Sequence, residues 1–164
     1  NDLNVQKGQH CIFFFRWTHM CLIFAEAANN AVGPDEKIDG LSAKEALQYI
    51  RKRPMADGTP GVGAESDPYL DECATNAGSF NELVKNEWRI ETLAEGIRFH
   101  NLRRWATDVK EINMDIKGIE IKDGEYSTKV IETRSYPSLW LPIPYGDIRK
   151  SSGMKQNEGW ESWK

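Results

Sequence analysis

Two Ser-x-x-Glu boxes, Ser42-Ala-Lys-Glu45 and Ser79-Phe-Asn-Glu82, each stand just ahead of an apolar stripe. In such a box the serine hydroxyl accepts from the third helical amide while the glutamate reaches back to the serine amide. A helix start is therefore written at both places. Behind the first box Ala46, Leu47 and Ile50 share one face, and Pro54 ends the run, because proline has no N–H to give and clashes with the preceding turn. Behind the second, Phe80, Leu83, Val84, Trp88 and Leu93 form a stripe expected to run to about Glu95, with Gly96 as a stop or a kink. Ile97 to Thr107 continues as a further helix with Phe99, Leu102, Trp105 and Ala106 buried.

A helix also precedes the first box. From Arg16 onward Trp17, Met20, Cys21, Phe24 and Ala28 recur at helical spacing, Ala25, Ala27 and Ala28 allow a close neighbour, and Gly33-Pro34 terminates it. The Cys11–Ala28 stretch is the most apolar of the chain, yet it holds Arg16, His19 and Glu26, so it reads as a buried helix and not a membrane span. The helices thus fall into pairs, 16–53 and 79–107, a near-repeat that points to a helical array. Between the pairs lies a glycine- and acid-rich loop, 55–78, with one short helical turn expected around Tyr69–Cys73. Its acids, Asp57, Glu65, Asp67, Asp71 and Glu72, raise the question of a structural calcium ion, but their spacing is not that of a calcium loop.

Beyond residue 114 the style changes. Ile119-Glu-Ile121, then Asp123-Gly124, then Tyr126 predicts a two-residue hairpin with Ile121 opposite Tyr126. Pro137, Pro142 and Pro144 exclude helix around Leu139–Pro144 and predict an irregular, extended C-terminal segment with Trp140 anchored. The whole reads as a mainly α chain with a small β-hairpin.

Chemistry-bearing residues concentrate in the second helix pair. Glu87, Glu91 and Glu95 at i, i+4, i+8 stack like charges on one face, which calls for compensation. Arg89, Arg98, Arg103 and Arg104 are the expected partners in a structural ion-pair network, since guanidinium forks hold carboxylates bidentately. Arginines in that number depress carboxyl pKa values and argue against a general acid–base pair. A net charge of −4 with acids interleaved argues against nucleic-acid binding. No zinc spacing, nucleophile elbow or phosphate loop occurs, and three cysteines in no ligand pattern read as buried hydrophobes and a spare thiol. No cofactor and no catalytic residue is expected.

The run Glu87-Trp-Arg-Ile-Glu-Thr-Leu-Ala-Glu-Gly-Ile-Arg-Phe-His-Asn-Leu-Arg-Arg-Trp105 resembles a signature of the SusD/RagB family, roughly E-R-R-x-E-L-x-x-E-G-x-R-x-x-D-L-x-R-W. Phe24-Ala-Glu-Ala27 resembles the family's Y-A-E-A helix, and Trp140-Leu-Pro-Ile-Pro144 with Lys155-Gln-Asn-Glu-Gly-Trp160 resembles its closing W-P-I-P and Q-N-P-G-Y. Trp88, Asn101 and Glu158 depart from the usual arginine, aspartate and proline. The resemblance implies a tetratricopeptide-like α-α superhelix, of which residues 1–164 would be the C-terminal part. It implies an outer-membrane, cell-surface lipoprotein whose signal and lipidated cysteine lie upstream. It also implies non-catalytic binding of an oligosaccharide or other nutrient and delivery to a SusC-like TonB-dependent transporter. A tetratricopeptide-type protein-binding scaffold and a glycoside-cleaving enzyme are the alternatives. No ligand-binding residue carries over. Among the tryptophans, Trp17, Trp88 and Trp105 are expected on buried helix faces, and Trp160 and Trp163 exposed but suited to terminal packing.

Overall fold

The computed structural model describes residues 15–162. Cys11, His10 and Trp163 lie outside them. The chain divides into two compact units, one running through Leu93 and the other beginning at Ala94.

In the first unit, helix α1 (Trp17–Val32) leads through a tiny antiparallel ribbon, β1 (Lys37–Ile38) and β2 (Leu41–Ser42), into α2 (Ala43–Arg51). The capping box at α2 forms as written: the Glu45 amide donates to Ser42 Oγ at 3.1 Å and the Ser42 amide donates to Glu45 Oε2 at 2.9 Å. Then come α3 (Pro68–Cys73) and α4 (Ala77–Glu91). Helix α1 packs on both α2 and α4. Leu22, Ala25 and Ala28 meet Ala46, Leu47 and Ile50 of α2 and Phe80, Leu83, Val84 and Trp88 of α4 as one buried core, with Leu70 of α3. Each large side chain so buried contributes roughly 1.5–3 kcal/mol of transfer free energy.

Three expectations change here. The buried face of α1 is rotated: Thr18, Cys21, Leu22, Ala25 and Ala28 face inward, while Trp17 (72% exposed), Met20 and Ile23 face outward. The helix is apolar nearly all round, so periodicity did not decide which stripe docks; the small Ala25 and Ala28 did, by permitting close approach. Second, α4 starts earlier than its serine box. Asn76 is the cap, accepting from the Ser79 amide at 2.9 Å, and Ser79 Oγ instead donates to the Cys73 carbonyl at 2.6 Å. Asparagine caps as well as serine does, and it lies three residues upstream. Third, α4 ends at Glu91, where Thr92 Oγ1 donates to the Trp88 carbonyl and Ala94 turns into positive φ, so Glu95 lies past the helix.

In the second unit, α5 (Ile97–Trp105) follows a left-handed Gly96 and precedes a 3-10 turn, Val109–Glu111, capped by Asp108. Strands β3 (Asp115–Lys122) and β4 (Glu125–Thr133) form the hairpin, with Ile121 opposite Tyr126 and both turn residues, Asp123 and Gly124, at positive φ. The ladder is far longer than the single apolar pair legible in the sequence, since polar Ser127-Thr-Lys129 follow Tyr126 in β4. A short α6 (Tyr145–Lys150) follows Pro144. The two proline- and tryptophan-bearing segments clasp each other. Gln156 receives the Ile143 amide (2.7 Å) and donates to the Ile143 carbonyl (3.0 Å), Asn157 donates to the Leu141 carbonyl, and the Trp160 indole donates to the Trp140 carbonyl. Gly159, at φ 85°, passes so close to the Pro137 carbonyl that a side chain there would collide with it. Trp140 is held by its backbone while its side chain stays 73% exposed, against the expected anchoring. The molecule is mainly helical with a small hairpin, as its sequence predicts, and carries in addition the tiny β1–β2 ribbon.

Candidate functional site

The strongest electrostatic feature of the first unit sits where the last turn of α2 meets α4. Arg51, the final residue of α2, donates through Nε to Asp67 and through Nη1 to Glu87, with Nη2 reaching the other Asp67 oxygen at 3.1 Å. Both acids are buried, Asp67 5% and Glu87 7% exposed, and the Arg51 side chain is nearly so at 11%. Asp67 also caps α3, taking the Leu70 amide at 3.1 Å. The guanidinium and that amide hold the Asp67 carboxyl below its ordinary range. Burial pushes the Glu87 carboxyl up, and Arg51 offsets only part of it.

A turn further along, Arg53 grips both oxygens of Glu91 at 3.0 and 2.7 Å and donates to Thr18 Oγ1. Arg16 donates to the Glu91 carbonyl, satisfying an acceptor at the end of α4. The four-residue gap from Glu87 to Glu91 stacks the two acids, and Arg51 and Arg53 meet them from α2 and the residues just after it.

Over this floor the segment after α2 folds back. Gly63 donates its amide to the Arg51 carbonyl at 3.0 Å, and Met55 donates to the Thr59 carbonyl. Gly61 passes so close to the Arg51 and Arg53 carbonyls that no Cβ fits there. The result is a groove of about 640 Å³ between α2, the 54–62 segment, Tyr69 and α4. Met55, Val62, Tyr69 and Ile90 line it and are exposed, while Arg53, Glu91 and Asn86 supply polar edges. Its size falls within the roughly 300–1,000 Å³ of small-molecule sites.

The SusD/RagB family model, described as the SusD family, matches residues 2–160. The chain belongs to the SusD family. No curated protein and no solved structure gives a significant match. Within this SusD-family chain the recognised segments do structural work, each within its own unit. The Glu26 carboxylate of the Phe24–Ala27 segment is buried and receives the indole N–H of Trp88 at 3.1 Å, so a neutral donor stands where the family pattern has arginine; His19 stacks on the same indole. The closing segments form the clasp described above.

The expected ion-pair network takes a different form. Glu87 and Glu91 are paired by Arg51 and Arg53, not by Arg89, Arg98, Arg103 or Arg104. Glu87 and Glu91 lie on α4 where it meets the end of α2, so Arg51 and Arg53 reach them first; Glu95 lies past the helix and, with the three later arginines, belongs to the second unit. There Arg103 lies over Phe99 and Tyr136 at 3.7 and 4.4 Å, Arg104 donates to Asn101 and lies over Trp105, and Arg98 also faces Trp105. Arg89 is exposed. The sequence marks Asp67 only as one of the loop acids, and Arg51, Arg53, Tyr69 and Asn86 not at all as a site. The signal available was Arg51-Lys-Arg53 closing an amphipathic helix whose neighbour carries stacked acids. The loop acids have other tasks: Asp57 accepts from the Thr59 amide and Asp71 pairs with Lys44 at 2.9 Å. The described residues contain no cluster of three or more His, Cys, Asp or Glu arranged to hold a metal.

Proposed function

We propose that this chain is part of a non-catalytic, cell-surface binding protein that captures an oligosaccharide or other nutrient and passes it to a SusC-like TonB-dependent outer-membrane transporter. Membership of the SusD family over residues 2–160 carries the reading. On this reading a lipid anchor holds the protein at the membrane; no described helix is long and apolar enough to cross a bilayer. The geometry agrees with binding in place of turnover. Glycoside cleavage needs one carboxyl free to donate a proton and another free to attack or activate water. Here Glu87 is buried on Arg51, and both oxygens of Glu91 are held by Arg53. A glycan array combined with a hydrolysis assay on the full-length protein tests the proposal. The expected result is binding without release of shorter sugars. Turnover would support the enzyme reading, and silence on every glycan together with peptide binding would support the scaffold reading. Co-purification with the transporter tests the partner.

A further inference from the structure

The geometry points to the groove between α2, the 54–62 segment, Tyr69 and α4 as a subsite for neutral carbohydrate. This inference rests on the reading of the protein as a glycan-binding one and locates a place where this chain itself does so. The argument begins with charge. Two guanidinium groups, Arg51 and Arg53, face three carboxylates, Asp67, Glu87 and Glu91, and every one of these is engaged with a partner of opposite sign. Asp67 lies outside the lining, which itself carries Arg51 and Arg53 against Glu87 and Glu91, each already paired, so the groove surface has no net charge with which to select an ion. A neutral ligand is left.

The remaining surface suits a sugar. A pyranose ring has an apolar face of axial C–H bonds and an edge of hydroxyls. Tyr69 is 54% exposed on the rim, backed by the Arg51 guanidinium at 5.8 Å, and offers an aromatic face; Met55, Val62 and Ile90 extend the apolar surface. The edge hydroxyls need donors and acceptors side by side. The half-exposed Arg53, its partner Glu91 and the exposed Asn86 amide supply both kinds, and ion-paired groups keep lone pairs and N–H bonds to spare. The wall is set in advance. The Gly61 close approach and the Gly63-to-Arg51 hydrogen bond pin the loop to the end of α2, so little ordering is left for the ligand to induce.

The test is amide hydrogen exchange on the full-length protein with and without neutral linear oligosaccharides as probes: maltoheptaose, cellohexaose, xylohexaose and mannohexaose. At least one should slow exchange within residues 54–71, and Tyr69→Ala should abolish that protection and weaken binding at this subsite by about tenfold or more. Tyr69→Phe should retain it. Tyr69 and Asn86 are exposed, so their replacement leaves the core untouched, and Tyr145→Ala in the other unit serves as the exposed-aromatic control. Protection confined to other segments, with Tyr69→Ala unchanged, overturns the subsite while the glycan-binding function stands. Loss of a protein partner on Tyr69→Ala with glycan protection unaltered also overturns it and makes the groove a protein-docking surface. No binding of any of these probes overturns the subsite and leaves the protein's ligand to be sought among other nutrients.

Discussion

Arg51 bridges two buried acids of the first unit, Asp67 and Glu87. Replacing it by methionine keeps the apolar stem and removes the charge, leaving Asp67 and Glu87 buried without a guanidinium. We expect a loss of about 3–5 kcal/mol in urea unfolding of the full-length protein. Arg53→Met, at a half-exposed pair, should change stability by about 1 kcal/mol or less. The same triad gives a pH signature. Burial favours the protonated form of Glu87 in the folded state, so its contribution to stability rises as pH falls from above its raised value toward the ordinary 4.5. Asp67 acts in the opposite sense: its stabilisation is present above the ordinary 3.8 and is lost as pH falls through its depressed folded value. Glu87→Gln should therefore remove the gain on mild acidification and leave the loss at lower pH, which a series of unfolding midpoints against pH will show. Persistence of the gain in that variant would assign it to another group.

Among the elements, the two serine boxes look alike as sequence and differ as structure, which makes their caps separable by mutation. Ser42→Ala removes a working cap and should cost about 1 kcal/mol. Asn76→Ala should cost a similar amount, for the same reason. Ser79→Ala removes no cap and should cost less than either, as thermal unfolding of the three variants will check. In the hairpin, Gly124 sits at φ 83°, where a Cβ is strained by about 1–2 kcal/mol. Gly124→Ala should speed amide exchange across 115–133 and leave the exchange of α1, α2 and α4 as it was. The clasp between 141–143 and 156–160 shows why those two segments are recognisable together: glutamine and asparagine amides in one satisfy the backbone of the other, and Gly159 is the residue that lets the strands of chain approach.

For the molecule as a whole, the outward face of α1 is the feature that most affects behaviour in solution. Trp17, Met20 and Ile23 follow one another at three-residue spacing and are exposed together. Apolar surface in a contiguous stripe drives association, so residues 1–164 expressed alone should self-associate, and Trp17→Lys with Met20→Lys should suppress it without loss of helix. Light scattering and circular dichroism decide the two halves of that expectation. The amino-acid sequence by itself determined what depends on neighbours along the chain: the α2 cap, the Asp123-Gly124 turn with its Ile121–Tyr126 register, the proline-bound irregular end, and the motifs by which the SusD family is recognised. Those features are settled by local geometry, where a hydroxyl reaches an amide three residues on or a glycine adopts positive φ. Tertiary structure alone decided which of two apolar stripes of α1 docks, where α4 stops, and which arginines answer Glu87 and Glu91. Each of those is a choice between locally equivalent options. It is made by close packing against Ala25 and Ala28 and by the need to neutralise buried charge, forces that act only once distant parts of the chain have met.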